Sequence, residues 1–201
     1  MNKKAFFNIG YGLYVLTTRN SNIDNGCIIN SVMQLSNTEK PLVAISVNKA
    51  NYTCEMIQES GVLVVNVLTE STPFRMIQHF GFKSGRDTQK FFRNENEKRA
   101  ENGCLYLPQF TNAYFACRVK EAIDCDTHIL FIAEVDEAEV LSDEPTLSYD
   151  YYHKNIKPKP QPSEKKGWRC KVCGYVYEGE ELPADFICPL CKHGAEDFER
   201  V

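Results

Sequence analysis

Four cysteines near the C-terminal end of the sequence form two tight pairs, Cys170-x-x-Cys173 and Cys188-x-x-Cys191, with 14 residues between the pairs. A hairpin with this spacing aims both of its sulfurs, and the backbone N–H groups around them, at one point. Two such hairpins place four thiolates tetrahedrally around a single metal ion. The repeated two-residue gap separates these thiols from unrelated ones, but zinc and iron both accept the ligand set.

A second stretch has the chemistry to hold an anion. Ser46-Val47-Asn48-Lys49-Ala50-Asn51-Tyr52-Thr53 reads as a strand that runs out into polar residues and then into the start of a helix. Free N–H groups and the helix dipole favour a phosphate at such a point. Taken alone, the same residues also suit an ordinary cap at Asn51 and a solvated Lys49. No dinucleotide fingerprint or P-loop competes with this stretch. Gly10-Tyr11-Gly12 lacks a third glycine, and Gly81-Phe82-Lys83-Ser84-Gly85 lacks both the P-loop spacing and its Lys-Ser/Thr end. A nucleotide used by this chain is therefore not held in a Rossmann fold.

The elements that must position these groups fall into two modules. Lys154 to Gly167, with Pro158, Pro160 and Pro162 among lysines and polar residues, opposes helix and sheet and reads as a semi-stiff linker between residues 1–153 and 168–201. Net charge changes with it, from −5 in the first module to +4 in the linker and −3 in the second. In the first module Leu13 to Arg19, Leu42 to Val47, Val62 to Leu68, Ala113 to Ala122 and Thr127 to Val140 have strand composition. Two helices are expected, one from Tyr52 to Glu59 capped by Asn51 and ended by Gly61, the other capped by Thr72 with Pro73 at its first position and Gly81 past its end. Many strands without regular strand-helix alternation favour an antiparallel barrel.

With 201 residues, 43% hydrophobic and 25% charged, the chain can bury one good core and a small second unit. A net charge of −4 without a basic stripe gives no footprint for nucleic acid or an anionic membrane, and no apolar run approaches the ~20 residues of a membrane span. Lys3 and Lys4 before the apolar run Ala5 to Leu16 imitate a secretory leader. Asn8, Gly10 and Gly12 interrupt that run, which reads instead as a buried strand. Cys27, Cys54, Cys104, Cys117 and Cys125 are scattered on apolar segments, as inert core thiols of a reducing compartment are, and the expected location is the cytoplasm.

Trp168, Gly174-Tyr175, Cys188-Pro189 and Phe198 surround the paired thiols in a pattern that resembles rubredoxin over residues 168 to 199. The resemblance implies one iron on Cys170, Cys173, Cys188 and Cys191 that carries single electrons. The interval between the pairs is closer to the short domain of rubrerythrins, and Lys192 stands where the second hairpin commonly has glycine.

A carrier needs a donor, and the first module offers one. Gly26 to Ser31, Ser46 to Thr53, Phe80 to Asp87 and Asp126-Thr127-His128 occur in the order and approximate spacing of the flavin reductase family with the FMN-binding split barrel, a resemblance that covers about residues 6 to 153. Together the modules resemble the fusions called high-molecular-weight rubredoxins. The resemblance implies that Asn30 and Ser31 contact the isoalloxazine edge, and that Ser46, Asn48, Lys49 and Thr53 hold the phosphate or ribityl chain. Lys83, Ser84 and Arg86 form a second basic patch, and His128, preceded by Cys125 where many relatives have glycine, orients nicotinamide or flavin. It also implies a homodimer with FMN near the subunit interface, so that the two patches could come from different chains.

The expected activity is electron transfer from NADH or NADPH through FMN to the iron, and on to an acceptor such as a flavodiiron protein. Release of reduced flavin, or a non-catalytic flavin-binding protein with a structural zinc ribbon, are the competing readings.

Overall fold

Strands rich in branched apolar residues build the larger unit, with Val62–Leu68 buried at nearly every position and the first half of His128–Val140 alternating between half-buried and buried ones. The computed structural model describes residues 2–91, 98–158, 167–172, 174–189 and 194–201. Seven antiparallel strands make the main sheet: β1 (Tyr14–Asn20), β2 (Ile23–Ile29), β3 (Val32–Gln34), β4 (Leu42–Asn48), β5 (Val62–Leu68), and the long hairpin of β8 (Thr111–Cys125) and β9 (His128–Val140). Between β5 and β8, a two-stranded ribbon pairs β6 (Lys98–Arg99) with β7 (Leu105–Tyr106). The spatial order in the main sheet is β2-β1-β5-β8-β9-β4-β3.

In a flat sheet the outer strands, six spacings apart, would stand roughly 29 Å from each other. Instead Cys27 and Ile29 of β2 and Val32 of β3 join one core with Ile45, Val47, Leu63, Val65 and Phe131. The sheet therefore closes on itself as a barrel, and the mainly β, antiparallel barrel is the architecture expected from the sequence. Helix α1 (Tyr52–Ser60) sends Cys54 and Ile57 into the same core. Each fully buried Leu, Val, Ile or Phe there contributes about 1.5–3 kcal/mol.

Local expectations met different fates. The five expected strands form, and β8 runs on to Cys125. Strands β2 and β3 were not expected, because Asp24, Asn25 and Gly26 break the apolar pattern; pairing with β1 along all of β2 supplies the order that composition lacks. The run from Ala5 to Leu16 is not one buried strand. Lys3–Asn8 forms a 3₁₀ helix, Phe6 and Ile9 are about half exposed, and β1 begins only at Tyr14, beyond the two glycines.

Helix α1 ends as expected at Gly61, whose φ of 70° lies in the left-handed region and whose N–H bonds the Ile57 carbonyl. Asn51 takes the N-cap position, but its side chain makes no capping hydrogen bond. In α2 (Phe74–Gly81) the N-cap position belongs to Pro73. Thr72 does not cap, because its hydroxyl donates to the Thr69 carbonyl at 2.7 Å, and Gly81 is the last helical residue rather than the one beyond.

A second apolar cluster joins Leu13, Val15, Leu68, Ile77, Phe80, Leu147 and Tyr152, with Ile156 packed against it. Helix α3 (Tyr149–Tyr151) runs directly into a further helical turn, Tyr152–Ile156. The chain thus stays folded three residues past the expected start of the linker at Lys154, helped by the Lys154–Asp150 pair at 2.7 Å. It leaves the helix before Pro158, since a residue preceding proline is disfavoured in the α conformation. The two compact units divide between Ile156 and Lys157, and residues 159–166 of the expected linker lie outside the described residues.

In the smaller unit β10 (Trp168–Cys170) pairs with β11 (Val176–Tyr177) on one side and β12 (Phe198–Arg200) on the other. Its core is Cys170, Cys188 and Phe198, flanked by Trp168, Val172, Tyr175, Tyr177, Leu182 and Phe186. A core of this size needs a metal or another cross-link to hold its fold. No described helix is long and apolar enough to cross a membrane.

Candidate functional site

Strand register gathers several of the expected residues on one outer face of the barrel. In β4, Ile45 and Val47 enter the core, so Ser46 and Asn48 point the other way. The Ser46 N–H bonds the Ser31 carbonyl at 3.1 Å, and Ser46 lies opposite Leu130 of β9, which lies opposite Ile123 of β8. One step along, Asn48 faces His128, which in turn faces Cys125. Asn30, Ser31, Ser46, Asn48 and His128 are half-buried neighbours on this face, and the Ser31 hydroxyl donates to the Asn30 amide oxygen at 3.0 Å.

The chain leaves β4 in a turn closed by the Asn48 amide oxygen, which accepts from the Ala50 N–H at 2.8 Å, and enters α1 at Tyr52. Asn51 gives no side-chain acceptor to the first turn of α1, and the acidic residue of that turn, Glu55, is paired with Arg86. Lys49 does not point into that turn. Its ammonium pairs with Asp124 at 2.7 Å, and its N–H bonds the Thr127 carbonyl at 3.0 Å, at the tip of the β8–β9 hairpin. The hydrogen bond from Lys49 holds the Asp124 carboxyl below its ordinary range. Next to it, Nδ1 of His128 and the Thr127 hydroxyl lie 2.9 Å apart.

The loop carrying Lys83, Ser84 and Arg86 packs against α1 within a single chain. Arg86 pairs with Glu55, and its guanidinium lies 4.4 Å from the centre of the Tyr52 ring. The Ser84 hydroxyl accepts from the Arg86 N–H at 3.1 Å, which rounds off the turn. Thr53, by contrast with the exposed loop, is buried in the first turn of α1 and accepts a hydrogen bond from the Asn25 amide at 3.1 Å. The structure thus joins Thr53 to the Lys83–Arg86 patch and joins Lys49 to the hairpin, a division that sequence order did not give.

Two features test whether this cradle suits an anionic cofactor. Asn25 is 2% exposed, yet its Oδ1 has no hydrogen-bond partner, and a Cβ placed on Gly85 would stand 2.2 Å from that oxygen. Loop backbone therefore passes close over a buried amide, as only glycine permits. Turned by 180°, the amide would accept from Thr53 and present its NH₂ toward the Gly85 loop, adding a donor beside the backbone that leads to Arg86. The residues fit a phosphate.

Asn25 and Lys90 went unnoticed in the sequence. Lys90 is 4% exposed, and its ammonium donates to the carbonyls of His79 and Lys83. A lone lysine between Gln89 and Phe91 carries no signal of burial. Four of the five scattered thiols are core residues as expected, but Cys125 is exposed, because the end of β8 projects beyond the barrel. Burial pushes Cys27 and Cys117 up to about 12 and Cys54 and Cys104 up to about 11, which keeps them protonated and unreactive.

In the smaller unit Cys170 and Cys188 are fully buried among aromatic rings. The first hairpin turns at Gly174, with φ of 80°, where its N–H bonds the Cys170 carbonyl at 2.8 Å and the Cys170 N–H bonds the Tyr175 carbonyl at 2.7 Å. Cys173, Cys191 and Lys192 lie outside the described residues, and among the described residues no three metal-binding side chains converge. Two buried thiols in an apolar, ring-lined shell suit a sulfur-ligated iron, whose properties depend on such shielding.

Comparisons agree with both units. The flavin reductase like domain family matches residues 6–158, and the rubrerythrin, rubredoxin-like domain family matches residues 168–199. The chain is 34% identical over 231 residues to a high molecular weight rubredoxin of Moorella thermoacetica, covering 100% of both proteins. It is 38% identical over 160 residues to a ferric-chelate reductase (NAD(P)H) of Archaeoglobus fulgidus, covering 79% of this chain and 93% of that protein. Among solved structures, an NADH:FAD oxidoreductase of Streptomyces globisporus shares the barrel fold with a TM-score of 0.63 at 20% identity, covering 73% of this chain and 85% of that one.

Proposed function

We propose, from the premise that this chain belongs to the flavin reductase like family and ends in a rubredoxin-like domain, that it is an NAD(P)H-dependent oxidoreductase passing electrons through FMN to a four-cysteine iron centre. The observation that carries this reading is the union of both domains in one chain, matched from end to end by a high molecular weight rubredoxin. When bound, the flavin takes a hydride from the nicotinamide and gives up electrons singly, as a one-electron iron site requires.

The chain's own residues divide the work. The first turn of α1, Thr53, Lys83, Ser84 and Arg86 hold the phosphate, while Asn48 and Lys49 reach the ribityl chain or the phosphate from the β4 end. Asn30, Ser31 and Ser46 line the isoalloxazine edge, and His128 orients nicotinamide or flavin on the same barrel face. Cys170, Cys173, Cys188 and Cys191 hold the iron, and the aromatic shell of Trp168, Tyr175, Tyr177 and Phe186 keeps water from it.

The outer face that bears Ser46 and His128 continues into an apolar rung in which Met33 faces Ala44 and Ala44 faces Ile132. Met33 is 60% exposed and Ile123 40%. An apolar face beside the flavin residues supports a homodimer that closes over the cofactor. The external acceptor in this reading is a flavodiiron oxygen or nitric oxide reductase, and the site of action is the cytoplasm.

One preparation tests the reading. Purified protein should contain iron and FMN in comparable amounts, and anaerobic NADH or NADPH should bleach the flavin and iron absorption together. Stoichiometric zinc after iron-replete growth, with no bleaching, would overturn it. Bleached flavin that leaves the protein on gel filtration would favour a reductase that releases its product.

A further inference from the structure

Among the described residues of the larger unit one buried cation, Lys90, is not among those assigned above. Lys90 is 4% exposed, and no described carboxylate pairs with it. Its ammonium instead donates to two backbone carbonyls, that of His79 in the last turn of α2 and that of Lys83 in the loop that follows. The His79 carbonyl is one of the four that a helix C-terminus leaves without an intrahelical partner, and the negative end of the helix dipole favours a cation there. His79 returns the contact. Its Nε2 lies 2.9 Å from the Lys90 carbonyl, which can only accept, so Nε2 carries the proton.

We infer that Lys90 is a positioning residue, whose buried ammonium pins the loop of Lys83, Ser84 and Arg86 beside α1 in the shape that receives the flavin phosphate. This rests on the flavin reading given above. From its near end Lys90 fixes the Lys83 carbonyl, and at the far end Arg86 is fixed by Glu55 and Tyr52. Gly85 lies between these anchors, against Asn25, the partner of Thr53. The loop is therefore held at three points, with the buried Lys90 ammonium fixing its start.

The charge has a cost that loop anchoring alone does not explain. A neutral side chain of similar length would fill the space without bringing a charge out of water. The groups facing the ammonium are the Phe80 ring of α2, the Lys83 side chain in the loop and Cys27 of β2, while the His79 ring faces the Lys90 backbone carbonyl. None supplies a negative charge at neutral pH, since burial pushes the Cys27 thiol up to about 12. Burial brings Lys90 down to about 8 from its ordinary 10.5; Cys27 beside it opposes the shift, and the neighbouring Lys83 adds a smaller push in the same direction as burial. A phosphate on the loop provides the negative charge this pocket lacks, so its binding and the protonation of Lys90 favour one another.

The test titrates the full chain with FMN and with riboflavin, which has no phosphate, from pH ~7.5 to ~9.5, where the second ionisation of a phosphate monoester is essentially complete. For the unaltered protein FMN affinity should fall roughly tenfold across that range, while riboflavin affinity holds. Lys90→Met should weaken FMN by about 10- to 100-fold at the lower pH, lose the pH dependence and leave riboflavin within about threefold. Lys90→Arg, always charged, should keep most of the FMN affinity and lose the pH dependence. Equal losses for FMN and riboflavin in Lys90→Met, or an FMN affinity of the unaltered chain that ignores pH, would overturn the inference. Should Lys90→Met fail to fold, the pH profiles of the unaltered chain and Lys90→Arg decide alone. Failure of the flavin reading itself looks different, because the unaltered chain would then bind neither flavin.

Discussion

The ammonium of Lys49 lies 2.7 Å from one carboxylate oxygen of Asp124 and 2.8 Å from the other, tying the end of β4 to the tip of the β8–β9 hairpin. Any anion that recruits Lys49 must draw it from Asp124 or share it. Asp124→Asn should therefore strengthen FMN binding, and Lys49→Ala should weaken it about tenfold. Fluorescence titration at two salt concentrations checks both, and identical affinities in all three proteins would remove Lys49 from the phosphate site.

Gly85 and Asn25 are coupled by space. A methyl group on Gly85 would stand 2.2 Å from Asn25 Oδ1, so Gly85→Ala must push either the loop or the buried amide aside. Destabilisation of about 1–3 kcal/mol and weaker FMN binding are expected. Adding Asn25→Ser should restore part of both, and strict additivity in the double-mutant cycle would show that the two do not interact.

Thiol reactivity should single out one cysteine of the barrel. Cys27, Cys54, Cys104 and Cys117 are buried, with pKa values raised to about 11 or 12, whereas Cys125 is exposed. In the native, metal-loaded protein a disulfide reagent should label one site, and Cys125→Ser should abolish that labelling. Rapid labelling of a second barrel thiol, located by peptide mapping, would mean that the core opens readily.

The iron and flavin sites should be separable. Cys170→Ser or Cys188→Ser should abolish the iron absorption and metal content while leaving stoichiometric flavin, because the two compact units have separate cores. Metal analysis with flavin quantitation checks this, and loss of flavin alongside iron would contradict it.

Lys90 also shapes stability against pH. Its folded-state pKa, about 8, lies below the ordinary 10.5, so between these values the unfolded chain holds the proton more tightly. Stability of the flavin-free protein should therefore rise with pH through that window, relative to Lys90→Arg, which keeps its charge in both states. Denaturant midpoints at several pH values measure the difference, and parallel curves would place Lys90 in contact with water.

Chemistry that depends on spacing along the chain was legible in the sequence. The turn at Gly174 that follows Cys170, the strand running into α1 and the glycine ending that helix are local, since a few neighbouring residues decide each of them. The barrel itself followed from strand composition, because runs rich in Val, Ile, Leu, Tyr and Phe between polar or glycine-containing breaks mark five of its strands. What remained hidden depended on contacts between distant residues. Strand β2 contains Asp24, Asn25 and Gly26 and is ordered by its pairing with β1, which no local propensity records. Lys49 and Asp124 are 75 residues apart, and Arg86 and Glu55 are 31 apart. Only closure of the barrel decides which cation meets which carboxylate. Burial of Lys90 is likewise tertiary, because a lysine is placed in the interior by the carbonyls that surround it, here those that α2 and its following loop leave without other partners.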